Sequence, residues 1–146
     1  MKKLITGCAL LIFCAVSSGS AQTMYENLHF VTFTKLKMVW PENGSMNERD
    51  SLIAIYTENV IKKNTYILSH REYSHFFTTD NKDYIIIEEF KDYAAWEASN
   101  KMNDELEAKA FGDKDKRKAF MDAMNRYFEN WHGDALYHTN PKVNKN

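Results

Sequence analysis

The sequence predicts one α+β domain, with an antiparallel sheet carrying helices on one face. Three observations support this. Stretches rich in β-branched and aromatic residues alternate with stretches whose apolar residues recur at helical spacing, in the order β-α-β-β-α-α-β. The length, 146 residues, suits a single domain. No internal repeat or low-complexity segment interrupts the pattern.

The first residues stand apart from that domain. Lys2 and Lys3 give a basic start, Leu4 to Val16 a mostly apolar run broken by Thr6 and Gly7, and Ser17 to Ala21 a run of small residues. Gly19 and Ala21 occupy the two small-residue positions of a signal-peptidase site. Residues 1–21 therefore read as a secretory signal, and the mature chain is expected to begin at Gln22. The apolar run of about 13 residues is shorter than the roughly 20 a spanning helix needs. A lipoprotein signal fits poorly: Cys8 has too short an apolar stretch before it, and Cys14 follows the bulky Phe13. Both cysteines lie in this segment, so the domain at 22–146 has none. That excludes disulfide scaffolds, thiol chemistry and cysteine metal sites, and leaves the core to hold the fold. The expected location is periplasmic or secreted; the basic start and the lack of disulfides lean toward a Gram-negative periplasm.

Ordered structure is expected over about residues 27–139. His29 to Val39 is a strand, ended by Trp40, Pro41 and the Asn43-Gly44 turn. Ser45 and Glu48 have capping-box spacing, in which Ser45 takes the Glu48 amide and the Glu48 carboxylate returns to the Ser45 amide. Leu52, Ile53, Tyr56 and Val60 continue a helix to about Lys63. Tyr66 to Thr79 reads as a second strand, residues 80–83 as a hairpin turn, and Tyr84 to Phe90 as the most apolar strand. Asp92 caps a helix from Tyr93 to about Ala110. After an interruption at 111–113, Phe120, Met124, Tyr127 and Trp131 predict a helix from about Asp115 to Trp131. Gly133 marks a turn, and Ala135 to Thr139 a last short strand.

That order, less one helix, is the ferredoxin-like β-α-β-β-α-β arrangement. The strands carry apolar residues at both parities, as in Phe30 and Val31, Phe76 and Phe77, Ile85 and Ile86. A half-exposed sheet would alternate cleanly. Two apolar faces, with helices on only one, predict that a second copy packs on the other as a homodimer.

The stretch from Asp83 to Phe90, followed by Asp92, Ala94, Ala95 and Trp96, resembles the dimeric α/β-barrel superfamily. It is similar to the strand-then-helix segment of antibiotic-biosynthesis-monooxygenase-type domains, with Glu88, Phe90 and Trp96 as the matching positions. The resemblance implies a ferredoxin-like homodimer. It also implies a choice of roles, among them cofactor-independent oxygenation and haem handling.

Function is less sharply marked. Lys and Arg number 19 and Asp and Glu 20, with no basic patch, so nucleic acid is not an expected partner. No second apolar run suggests a membrane span. The sequence has no zinc-protease HExxH, no Gly-x-Ser-x-Gly elbow, no phosphate loop and no dinucleotide fingerprint. No metal ligand set is predicted. Asn43-Gly44-Ser45 fits a glycosylation sequon but reads as turn and cap.

Of Glu88 and Glu89, one must point inward, where a carboxylate can act as a base. Glu88 and His75 are the catalytic candidates. His29, Tyr73, Trp96 and His138 are the ligand-binding candidates. His70 and His75 are five apart in a strand and so point to opposite faces. A haem would need one histidine aimed into an apolar cavity, and none of His29, His70, His75, His132 and His138 is singled out. Trp96 and Trp131 lie on apolar helix faces, and Trp40 is expected to be exposed. The expected function is binding of a small apolar or aromatic ligand outside the cytoplasm. The alternatives are a monooxygenase-type enzyme and a homodimeric interaction module without a pocket.

Overall fold

A computed structural model of the chain describes residues 28–76, 80–140 and 142. The elements in chain order are β1 (His29–Met38), α1 (Met46–Asn59), a 3-10 turn (Ile61–Lys63), β2 (Ile67–Ser74), β3 (Asp83–Phe90), α2 (Tyr93–Phe111), α3 (Lys114–Asn125) and β4 (Phe128–Thr139). The expected signal at 1–21, and the expected end of the second strand at 77–79, lie outside the described residues.

The sheet has four strands in the order β2-β3-β1-β4, and every neighbouring pair is antiparallel. This is the ferredoxin-like topology expected from the sequence. Strand alternation divides the residues between two faces. Phe30, Leu36 and Met38 of β1, with Tyr84, Ile86 and Phe90 of β3, face the helices. Val31, Phe33, Ile85 and Ile87 face away.

The buried apolar residues gather on the helix side: Phe30, Met38, Val60, Ile61, Tyr84, Phe90 and Tyr127. Val60 and Phe90 each contribute roughly 1.5–3 kcal/mol by leaving water. Phe30 anchors one end, in ring contact with Tyr93 and Trp96 at the start of α2. Asn64 ties the α1–β2 connection to α2, its amide nitrogen lying 2.8 Å from Ser99 Oγ and 2.7 Å from Asn103 Oδ1.

Two helix ends differ from expectation. The first helix stops at Asn59 rather than Lys63; the chain tightens into the 3-10 turn, which buries Ile61 and turns Asn64 inward. The larger correction concerns the C-terminal segment. Its helix ends at Asn125 rather than Trp131, and β4 runs the full length from Phe128. The spacing of Tyr127 and Trp131 suits a helix, but β1 offers an unpaired edge. Residues from His132 to Thr139 pair with β1 from Leu36 back to His29. Sheet pairing overrides local propensity here, as it commonly does for aromatic residues. Gly133, expected in a turn, is paired opposite Lys35, and a Cβ there would lie 3.3 Å from the Trp131 ring. Trp131 itself is exposed rather than packed in a helical core.

Half of the expected capping box is present. Glu48 N–H donates to Ser45 Oγ at 3.1 Å. The return arm is replaced: Ser45 N–H donates to Tyr127 Oη at 3.0 Å, and the Tyr127 hydroxyl donates to Glu48 Oε2 at 2.6 Å. Arg126 also holds Glu48 at 2.6 Å. Asp92 caps α2 as expected, accepting from Ala95 N–H at 2.8 Å.

Candidate functional site

A cleft of about 500 Å³ opens between the helix-facing side of the sheet and helices α1 and α3. That volume falls within the range of small-molecule sites. Leu36, Ile53, Ile61, Ile86 and Met124 supply its apolar wall. At its polar end His70 stands on β2 directly opposite Glu88 on β3. Glu72, two residues along β2, shares their face, as strand periodicity requires.

His70 is held at both ring nitrogens. Nδ1 is 2.8 Å from Glu88 Oε1, and Nε2 is 2.9 Å from Glu72 Oε1. Carboxylates only accept, so both nitrogens donate and the ring is an imidazolium. Burial is the largest influence on its pKa and pulls it down. The hydrogen bonds and charges of Glu72 and Glu88 together outweigh burial and raise the pKa to about 9. Glu72 responds in the opposite sense: the bond from His70 lowers its pKa against the cost of burial. The Tyr84 hydroxyl also donates to Glu72, and that of Tyr56 donates to Glu107 at 2.9 Å. Burial first, and then these carboxylates, push both phenols well above their ordinary pKa. The result is a fixed polar cluster on an apolar wall, able to accept hydrogen bonds from a bound molecule.

Of the six candidates named from sequence, only Glu88 lines this cleft. His75 lies just beyond β2 on the other side of the sheet, beside Phe33, Ile85 and Ile87. The structure therefore does not bring Glu88 and His75 together; the histidine at Glu88 is His70. Tyr73 shares the side of His75 and is exposed. His29 bonds Glu89 on that same open face, where Ser69 also donates to Glu89 at 3.3 Å. The expectation that one of Glu88 and Glu89 points inward holds, and it is Glu88. Trp96 and His138 both pack on Phe30, away from the cleft. Trp40 is exposed, with the Arg49 guanidinium 5.3 Å above its ring. The sequence signal for His70, Glu72 and Glu88 was strand parity, which puts all three on one face once β2 and β3 pair.

His70 is not free to ligate a haem iron, since both its nitrogens are held by carboxylates, and among the described residues no lysine or arginine lines the cleft to meet propionates. Among the described residues no cluster of His, Cys, Asp and Glu could hold a metal ion, and no helix is long and apolar enough to cross a membrane.

Solved structures share this architecture. A dimeric ferredoxin-like protein from an uncultured marine organism matches with a TM-score of 0.55 and 8% identity, over 86% of this chain and 99% of that one. A dimeric ferredoxin-like protein of unknown function from Thermobifida fusca gives 0.51 and 6%, over 78% and 93%. A conserved protein from Methanosarcina mazei gives 0.51 and 15%, over 79% and 96%. No protein-family model matches the sequence, and neither does any curated protein. The chain has the α+β ferredoxin-like fold, the fold of the dimeric α/β-barrel superfamily that the Asp83–Trp96 segment resembles.

Proposed function

We propose that the protein is an exported homodimer that binds a small molecule in the cleft between sheet and helices. The observation that carries this reading is the His70 imidazolium, fixed between Glu72 and Glu88 in a cleft of about 500 Å³ whose other wall is aliphatic. Small-molecule sites combine such a wall with a few placed polar groups. In this reading Glu88 belongs to the ligand site and His70 is its histidine partner.

The open face of the sheet supports self-association. Phe33, Ile85 and Ile87 lie there beside exposed Tyr73, and Tyr137 packs edge-on to Phe33 while 55% exposed. Large exposed apolar faces mark interaction surfaces, and the marine and Thermobifida structures are described as dimeric. The basic start, apolar run and small residues of 1–21 support export.

Native mass spectrometry of the full-length gene product, made in a Gram-negative host without added ligand, tests all three parts. The expected species is a dimer of chains beginning at Gln22 that carries a discrete small-molecule mass released on unfolding. A monomer argues against the face-to-face assembly. An intact N-terminus argues against export. A dimer that acquires no mass from host extract or from a small-molecule panel argues against the binding role.

A further inference from the structure

The polar end of the cleft is anionic. Glu72 and Glu88 set two carboxylates against one imidazolium, that of His70. Glu129 adds another carboxylate, whose ion pair at 3.7 Å is with Lys82, a residue outside the lining. His132 leans on Asp134 at 3.0 Å. Among the described residues no lysine or arginine lines the cavity; Asn103, Asn125 and Asn130 add neutral amides and Thr34 a hydroxyl. The Tyr56 and Tyr84 hydroxyl protons are given to Glu107 and Glu72 and are not offered to an anion. Glu88 accepts from His70 through one oxygen, and its second carries no hydrogen bond among the described residues.

We propose that the cleft selects a hydrophobic amine, with its ammonium on the second Glu88 oxygen and its body against Leu36, Ile53, Ile61 and Ile86; this rests on the ligand-binding reading above. A partly buried carboxylate gains most from a cationic donor, and the aliphatic wall gains from an apolar body. The same field repels carboxylates and phosphates.

Three probes sharing one ring system separate the terms: tryptamine is cationic, tryptophol neutral and indolepropionate anionic. Titration calorimetry of the mature protein at neutral pH should show tryptamine binding about tenfold or more tightly than tryptophol, and indolepropionate not at all. Glu88→Gln should abolish the preference for tryptamine while tryptophol still binds, which also shows that the variant remains folded. Equal or tighter binding of tryptophol or indolepropionate overturns the amine proposal and leaves the small-molecule reading standing. So does a Glu88→Gln variant that keeps the preference. Failure of all three probes to bind overturns the amine proposal too, and the native mass measurement then judges the wider reading separately.

Discussion

Tyr127 gives its hydroxyl proton to Glu48 at 2.6 Å and takes the arm of the cap that Glu48 would otherwise extend to Ser45. A residue from the far end of the chain thereby sets the start of α1. Tyr127 is fully buried while Glu48 reaches solvent, and the Tyr127 hydroxyl is the foremost cause that lowers the Glu48 pKa.

Replacing Tyr127 with Phe removes that hydroxyl and keeps the ring. The Ser45 amide loses its acceptor and Glu48 loses a donor, while Arg126 remains. Both groups left behind reach solvent, so the expected loss is that of an ordinary hydrogen bond, about 0.5–1.5 kcal/mol, measured as a lower urea midpoint with an unchanged slope.

Gly44 lies beneath the same ring. A Cβ there would stand 2.5 Å from Pro41 Cγ and 2.8 Å from Tyr127 Oη. Gly44→Ala must push aside two rings packed on the core, so a loss of about 1–3 kcal/mol is expected. Combining it with Tyr127→Phe should cost less than the sum of the two singles, since both act on one contact; a double-mutant cycle checks this.

The His70 imidazolium makes stability depend on pH. Its pKa is about 9 in the fold against an ordinary 6.5, so its contribution is complete below about pH 6.5 and is lost as pH rises through about 9. The gap in melting temperature between the protein and His70→Gln should be widest below about pH 6.5 and should narrow toward pH 9 and above. An NMR titration of the His70 ring should show the same midpoint. A midpoint near 6.5 would mean that the two carboxylates do not hold the ring in solution.

The open sheet face gives a prediction on assembly. Phe33 sits at its centre, next to Tyr137 and beside Ile85 and Ile87. Phe33→Asp places a charge in an apolar contact without touching the cleft. The expected outcome is a monomer by light scattering, with the His70 titration unchanged.

The fold was legible where local pattern and tertiary pairing agree. The strand periods of 29–38 and 83–90, the Ser45 and Asp92 caps, and the two-sided apolar strands all point to the observed sheet. Legibility failed at 126–133, where Tyr127 and Trp131 keep helical spacing yet the free edge of β1 draws the segment into the sheet. The cleft was half legible: Glu88 followed from strand parity, but its partner depended on the pairing of β2 with β3. His75 carries the same ring chemistry as His70 on the opposite side of the sheet, and residue type alone does not separate them.

The sheet joins the two ends of the domain: the first strand lies at its centre, and its outer neighbour is the last. Thr34 bonds Asp134 at 2.8 Å across 100 residues of chain. A polypeptide that emerges N-terminus first cannot complete this sheet until its final residues are free. Closing so long a loop costs entropy before any pairing is gained, and folds dominated by such distant contacts form slowly. The edge of β1 that β4 covers therefore stays unpaired until the last strand has been made, and the sheet is completed by the segment synthesised last.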